Sequence, residues 1–265
     1  MSNPIPAIAQ LPHVDILGNR VHLIETAQAV DYIEDWIAHP QEKPARMVVT
    51  GFHGLHCAME DPGFKAILDQ AELFVPDGIA PVWIAKRLGK KVGGRVTGAD
   101  LMRCFFERAD SKGYSSFFFG DTNETLEKLK QTLESNYPGH RIAGQYSPPF
   151  REHSAEEKQA MIDRINQARP DVLWVGLGLP KQERWIAENH HKLNVPVAIG
   201  VGAAFGFHSG QVKRVPEWVG NAGFEWVWRF LAEPGKLWRR DAIDGPRFLF
   251  SIAVHWPQIK IANRS

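Results

Sequence analysis

Cysteine is scarce in this 265-residue chain: there are two, Cys57 and Cys104, and they form no C-x-x-C pair. A disulfide scaffold and a cysteine-rich zinc site are thereby excluded, and both residues read as small core side chains in a reducing compartment. Net charge is nearly lacking as well, with 31 Lys and Arg against 30 Asp and Glu. Nucleic-acid binding needs a clear basic excess to neutralise phosphates, so no nucleic acid is expected among the partners. Long apolar runs are missing too. The uncharged stretch from Val195 to Val212 is interrupted by four glycines, and Phe248 to Ile259 contains Pro257. The second is also short of the ~18 residues a spanning helix needs. The opening MSNPIPAIAQLPHVDILG shows no basic segment followed by an apolar core, so no secretory leader is expected. Reaction motifs are absent in turn: no P-loop, no H-E-x-x-H, no nucleophile elbow, and GLGLPK lacks the third glycine of a dinucleotide fingerprint.

What remains is an ordinary globular composition, 44% hydrophobic and 23% charged, enough for one large domain with an appendage. Short apolar runs recur at 47–50, 72–75, 115–120, 141–144, 172–178 and 197–202. Most lack polar alternation, as strands covered on both faces do. Helical segments separate them. Asp121 with Glu124 and Ser154 with Glu157 have capping-box spacing. Alternating strands and helices predict a Rossmann-like α/β fold, a parallel sheet sandwiched by helices, over residues 1–210.

In such a sheet, ligands bind outside the carboxyl ends of the strands. The residues just past the predicted strands are therefore the candidates: Thr50-Gly51-Phe52-His53-Gly54, Pro76-Asp77-Gly78, Gly120-Asp121, Gly176 to Gln182, and Gly200-Val201-Gly202. Glycine lets backbone approach a ligand closely, and a helix N-terminus there offers N–H groups to phosphate. Asp77 stands out in VPDGIAPVW, where its carboxylate serves either as a cap for a helix beginning near Ile79 or as a proton acceptor.

Residues 211–265 read as a C-terminal helical appendage broken by Pro216, Gly223, Pro234 and Pro246, with no further strand. From 213 onward there are nine Lys or Arg against five Asp or Glu, and five of the nine tryptophans. The appendage is basic and aromatic.

VPDGIAPVW, GRVTGADLM, FFFGD, GLGLPKQERW, GVGAAF, KRVPEW and GFEWVWRFLAEPGKLWRR, in that order, resemble the WecG/TagA/CpsF family of bacterial glycosyltransferases over roughly residues 15–250. The resemblance implies an inverting enzyme that moves a hexose, glucose or N-acetylmannosamine or a relative, from a UDP-sugar to a polyprenyl-diphosphate-linked sugar. It implies no required metal or cofactor, and it places the protein at the inner face of the cytoplasmic membrane as a peripheral member of cell-surface polysaccharide synthesis. Homo-oligomerisation stays open.

By the same resemblance Asp77 is the general base, and Arg95 counters charge on the diphosphate leaving group, for which a guanidinium fork suits paired oxygens. Thr50 lies beside the donor sugar, with His53, Gly78, Gly178 and Gln182 as further substrate contacts and Gly178 as a close-approach position. Arg229, Lys236 and Arg239 fall at the family's basic positions in the appendage, suited to a lipid diphosphate. Trp185, Trp226 and Trp228 read as core. Two departures stand out. Phe52 and His53-Gly54 replace the Asn the family often carries, a form expected of an exopolysaccharide branch, and Gly206 occupies a position where an acid usually sits. Two other readings remain beside this one: a nucleotide-dependent oxidoreductase, and a non-catalytic assembly protein docking to a membrane through its tail.

Overall fold

The computed structural model describes residues 5–89, 93–212 and 243–255, with the backbone of 261–262. The chain begins with a hairpin of β1 (His13–Ile16) and β2 (Asn19–His22), turned at Leu17 and Gly18, whose φ angles are +50° and +75°. Two central residues with positive φ match the twist of the flanking strands.

Helix α1 (Thr26–Ala38) leads into the main sheet. Its strands are β3 (Ala45–Thr50), β4 (Leu73–Pro76), β5 (Ser115–Gly120), β6 (Arg141–Tyr146), β7 (Val172–Gly176) and β8 (Val197–Gly200). All neighbours pair in parallel, in the order β4-β3-β8-β7-β5-β6. These are the six runs read from the sequence. Every residue of β3, β4, β5, β7 and β8 is buried, which explains the missing alternation, while the edge strand β6 is partly exposed.

Successive strand residues feed two faces. Met47, Val49, Phe118 and Trp174 pack with Ile33 and Trp36 of α1, Phe105 and Phe106 of α5 (Gly98–Lys112), and Leu129 of α6 (Asn123–Asn136). Val48 and Phe74 turn the other way, onto Leu55 of α2 (Phe52–Glu60), Phe64 of α3 (Pro62–Asp69) and Ile84 of α4 (Ile79–Arg87). On that side Phe119 and Val175 meet Ile165 of α7 (Ala155–Ala168) and Ile186 of α8 (Lys181–Asn189). Trp185 stacks on Phe119 at 4.3 Å between ring centroids, a core contact as expected.

Of the two predicted capping boxes one forms. Ser154 Oγ accepts the Glu157 N–H at 3.2 Å, and the Glu157 carboxylate accepts the Ser154 N–H at 2.9 Å. The Asp121 box does not. Thr122 caps α6 by accepting the Thr125 N–H at 3.1 Å, and Asp121, at φ +55°, accepts the Thr122 N–H at 2.8 Å. The cause lies in the adjacent strand end, where the Asp121 N–H donates to the Gly176 carbonyl at 3.0 Å and so turns the residue out of the capping position.

The appendage also differs from its reading. Beyond the short α9 (Ala204–His208), helix α10 (Gly245–His255) buries Phe248 and Ile252 in the cluster beneath α2, and β9 (Ile261–Ala262) adds a strand to the N-terminal hairpin by pairing antiparallel with β1. A two-residue strand has no period to read. Trp226, Trp228, Arg229, Lys236 and Arg239 lie outside the described residues.

Candidate active site

Because all six strands run the same way, their carboxyl ends form one rim. From β5 the chain crosses to the outer strand β6, and from β7 it crosses to β8 on the opposite side, so the topological switch point, where open α/β sheets receive ligands, lies between β5 and β7. Gly120 and Gly176 face each other there, so close that a β-carbon on Gly120 would stand 2.6 Å from the Gly176 carbonyl carbon.

The second concentration on the rim is built by β3 and β4. Thr50 and Pro76 are register partners, and the Asp77 N–H donates to the Thr50 carbonyl at 3.2 Å. Asp77 thus follows β4 directly and is half-buried. The N-cap of α4 is Gly78, at φ +85°, so Asp77 does not occupy the capping position that the structural reading assigned it. A β-carbon at Gly78 would meet no atom within 4 Å, so the glycine answers to its left-handed backbone and the space beside it is open.

Thr50 is buried, and its side chain packs onto Gly54, where a β-carbon would lie 2.2 Å from Thr50 Oγ1. The Thr50–Gly54 turn is shaped by its neighbours rather than by a free loop. Arg95 arrives from the segment before α5. The Val96 N–H donates to the Pro76 carbonyl at 2.9 Å and holds Arg95 beside the strand end that carries Asp77. Asp77, Arg95 and His53 all make polar or ring contacts with the surrounding protein.

His53 sits in the first turn of α2, and its Nδ1 lies 3.8 Å from Asp244 Oδ2, just ahead of α10. His56, one turn on, places Nε2 3.6 Å from Asp244 Oδ1. Sequence reading singled out neither His56 nor Asp244; nothing local marks a pair separated by most of the chain.

On the β7 and β8 side, Gly178 has φ +77°, and no atom would meet its β-carbon within 4 Å. The glycine is required by its left-handed backbone, and the space beside it is open. Its carbonyl accepts the Gln182 N–H at 2.9 Å, which starts α8. The Gln182 side chain is buried and turned inward: Oε1 accepts the Gly202 N–H at 2.9 Å, and Nε2 donates to Glu183 Oε1 at 3.3 Å. Glu183, fully buried beneath Gly200, has its carboxyl raised to about 7 by burial, a rise that the Gln182 hydrogen bond and the Arg46 charge oppose. The sequence marked Gln182 but not this acid. At Gly206 a β-carbon would stand 2.9 Å from Val212 Cγ2, so packing accounts for the glycine where an acid was expected by resemblance.

Two elements of the arrangement bear on chemistry. A carboxylate and a guanidinium-bearing segment meet at one strand end, and glycine-rich turns follow the strands at the switch point two strands away. Among the described residues, no group of three or more His, Cys, Asp or Glu is placed to hold a metal ion. Likewise no described helix is long and apolar enough to cross a membrane.

Residues 14–261 match the glycosyl transferase WecG/TagA/CpsF family, nearly the whole chain. The protein is a member of that family. Similar curated members include an N-acetylglucosaminyldiphosphoundecaprenol N-acetyl-beta-D-mannosaminyltransferase of Bacillus spizizenii, 32% identical over 75% of this chain and 74% of that one. An enzyme of the same name from Bacillus subtilis is 29% identical over 74% and 73%. A third, from Staphylococcus aureus, is 28% identical over 94% and 96%. As a WecG/TagA/CpsF member the protein is a glycosyltransferase, and its parallel sheet with covering helices is the architecture that the alternating strands and helices of the sequence predict.

Proposed function

We propose that this WecG/TagA/CpsF member transfers a hexosyl residue from a UDP-sugar to a sugar carried on a polyprenyl diphosphate, inverting the anomeric carbon and requiring no metal. The observation that carries the reading is the meeting of Thr50, Asp77 and the Arg95 segment at the ends of β3 and β4, tied by the Asp77-to-Thr50 and Val96-to-Pro76 hydrogen bonds. The names of the relatives supply the acceptor class, an N-acetylglucosaminyl diphosphoundecaprenol, and one candidate donor sugar, N-acetylmannosamine. Glucose is the other, because Phe52 stands where the family often has Asn.

In this mechanism the Asp77 carboxylate accepts the acceptor hydroxyl proton as that oxygen attacks the anomeric carbon. The new glycosidic C–O bond forms while the bond to the UDP β-phosphate oxygen breaks, and UDP leaves with the electron pair. Arg95 offsets the charge that develops on the diphosphate. Thr50, His53, Gly78 and Gly178 border the donor. Gln182 contributes by holding the Gly202 turn. Arg229, Lys236 and Arg239, outside the described residues, would receive the lipid diphosphate.

Membrane association at the inner face is part of the same proposal. Its support is the outward face of α10, where Leu249, Phe250 and Val254 are 64%, 72% and 56% exposed. Such a face suits the boundary between headgroups and acyl chains.

The test is UDP release from a panel of UDP-sugars, with and without short-chain polyprenyl-diphosphate N-acetylglucosamine, in detergent with EDTA. Acceptor-dependent release that survives EDTA and is lost in Asp77→Asn is expected. A folded, membrane-bound protein that releases UDP from no donor would instead be a binding or assembly protein.

A further inference from the structure

Two imidazoles and one carboxylate gather where the C-terminal segment meets the rim. His53 and His56 are three residues apart on α2 and therefore share a face. Each faces a different oxygen of Asp244, at 3.8 Å and 3.6 Å. These separations are longer than hydrogen bonds. The side chains of His56 and Asp244 are only 6% and 16% exposed, and that of His53 is 27% exposed. Cys57, also on α2, places Sγ 4.0 Å from His53 Nε2, and its thiol is pushed up chiefly by burial and then by the Asp244 and Asp61 charges, against Arg184.

Below this cluster an apolar contact repeats the connection. Phe248 of α10 is almost fully buried and meets Phe52, the residue before His53, with ring centroids 6.1 Å apart. Residues 244–255 thereby meet the N-terminal half of α2 twice, once through the Phe248 and Phe52 rings and once through the Asp244 carboxylate beside the two imidazoles. The first turn of α2 continues directly from Thr50 and Gly51.

We propose that Asp244 is a positioning residue for transfer, acting through His53 and His56 to hold the Thr50–Gly54 turn against the donor. The inference rests on the functional reading above. It assigns the C-terminal segment a task on the donor side of the site, separate from any contact with a lipid. Because Asp244 reaches the turn through the imidazoles, its loss weakens donor capture more than the chemical step.

The test uses the full chain with Asp244→Ala, Asp244→Glu, His56→Gln and the Asp244→Ala/His56→Gln double variant. Steady-state transfer is measured against UDP-sugar, and backbone amide exchange is followed over residues 51–57. The expected result for Asp244→Ala is a donor KM raised about tenfold with kcat changed by less than about threefold. Amide exchange in the α2 first turn should quicken, Asp244→Glu should recover both properties in part, and the double variant should be no worse than Asp244→Ala. An unchanged donor KM with unchanged exchange overturns the proposal. So does an equal loss in the Ala and Glu variants accompanied by a general fall in melting temperature, which would mark Asp244 as merely structural. Should the wild type transfer from no UDP-sugar, the functional reading fails, and the exchange experiment still decides whether Asp244 holds the turn.

Discussion

Gly51 and Asp77 are in a contact that leaves no room for a side chain: a β-carbon on Gly51 would stand 2.1 Å from the Asp77 carbonyl oxygen. Two strand ends are pressed together there, so the position of the acid depends on the absence of atoms from its neighbour. Gly51→Ala should push the Asp77 strand end outward. The expected cost is about 1–3 kcal/mol of stability and a loss of turnover on the order of a hundredfold, since a displacement near 1 Å suffices for that. Urea unfolding and UDP release on the same preparation check it; an unimpaired rate would show that Asp77 need not be held there.

Asp77→Asn should behave differently, because the amide is nearly isosteric with the carboxylate and the contact with Gly51 involves only backbone. The fold and donor affinity should persist while turnover falls roughly 10²–10⁴-fold, the usual contribution of a general base. A melting curve, a UDP-sugar binding isotherm and a rate together make the comparison. A variant as fast as wild type would remove Asp77 from the mechanism.

Gln182 holds the Gly202 turn through a buried amide. Gln182→Ala would leave the Gly202 N–H and the Glu183 carboxyl without that partner, at a cost of about 1–3 kcal/mol. Denaturant midpoints measure the loss, and a rise in donor KM larger than the change in kcat would place the turn on the donor side.

Glu183 predicts a pH dependence with a definite sign. Its carboxyl is raised from 4.5 to about 7 in the folded protein. Below 4.5 both folded and unfolded forms carry the proton. Between 4.5 and 7 the unfolded chain releases it first, so stability falls as pH rises and then levels off above 7. The full difference is on the order of 3 kcal/mol. Glu183→Gln should therefore be clearly more stable than wild type at pH 8 and close to it at pH 4.5. His22 and His140, both lowered to about 4 by burial, tilt stability the opposite way, since they lose it as pH falls from 6.5. They are present in both proteins and cancel in the difference. Urea midpoints across this range test it, and a constant offset between the two proteins would refute the assignment.

Much of the sheet was legible because its strands are covered on both faces and therefore spelled as unbroken apolar runs, as in MVVT and VLWVG. The rim followed from the glycines at their ends. The N-terminal hairpin was missed because its strands are four residues long, although Val14, Ile16 and Val21 do alternate toward the core. Asp121 was misread as a cap because the spacing is correct and only the pull of Gly176 on its N–H displaces it. At the candidate site, Thr50 and Asp77 were visible as strand-end residues. Glu183 and Asp244 were not, since what sets them apart is burial beneath Gly200 and a pairing with histidines nearly two hundred residues earlier.

The pairing of β9 with β1 has a consequence for biosynthesis. One edge of the hairpin waits for a partner that the ribosome delivers after almost all the rest of the chain, at 5–20 residues per second a delay of roughly 12 to 50 s. Throughout that interval the newborn hairpin must rely on Val14, Ile16 and Val21, buried against α2, α3 and β4, while the free side of β1 remains open to whatever strand comes near.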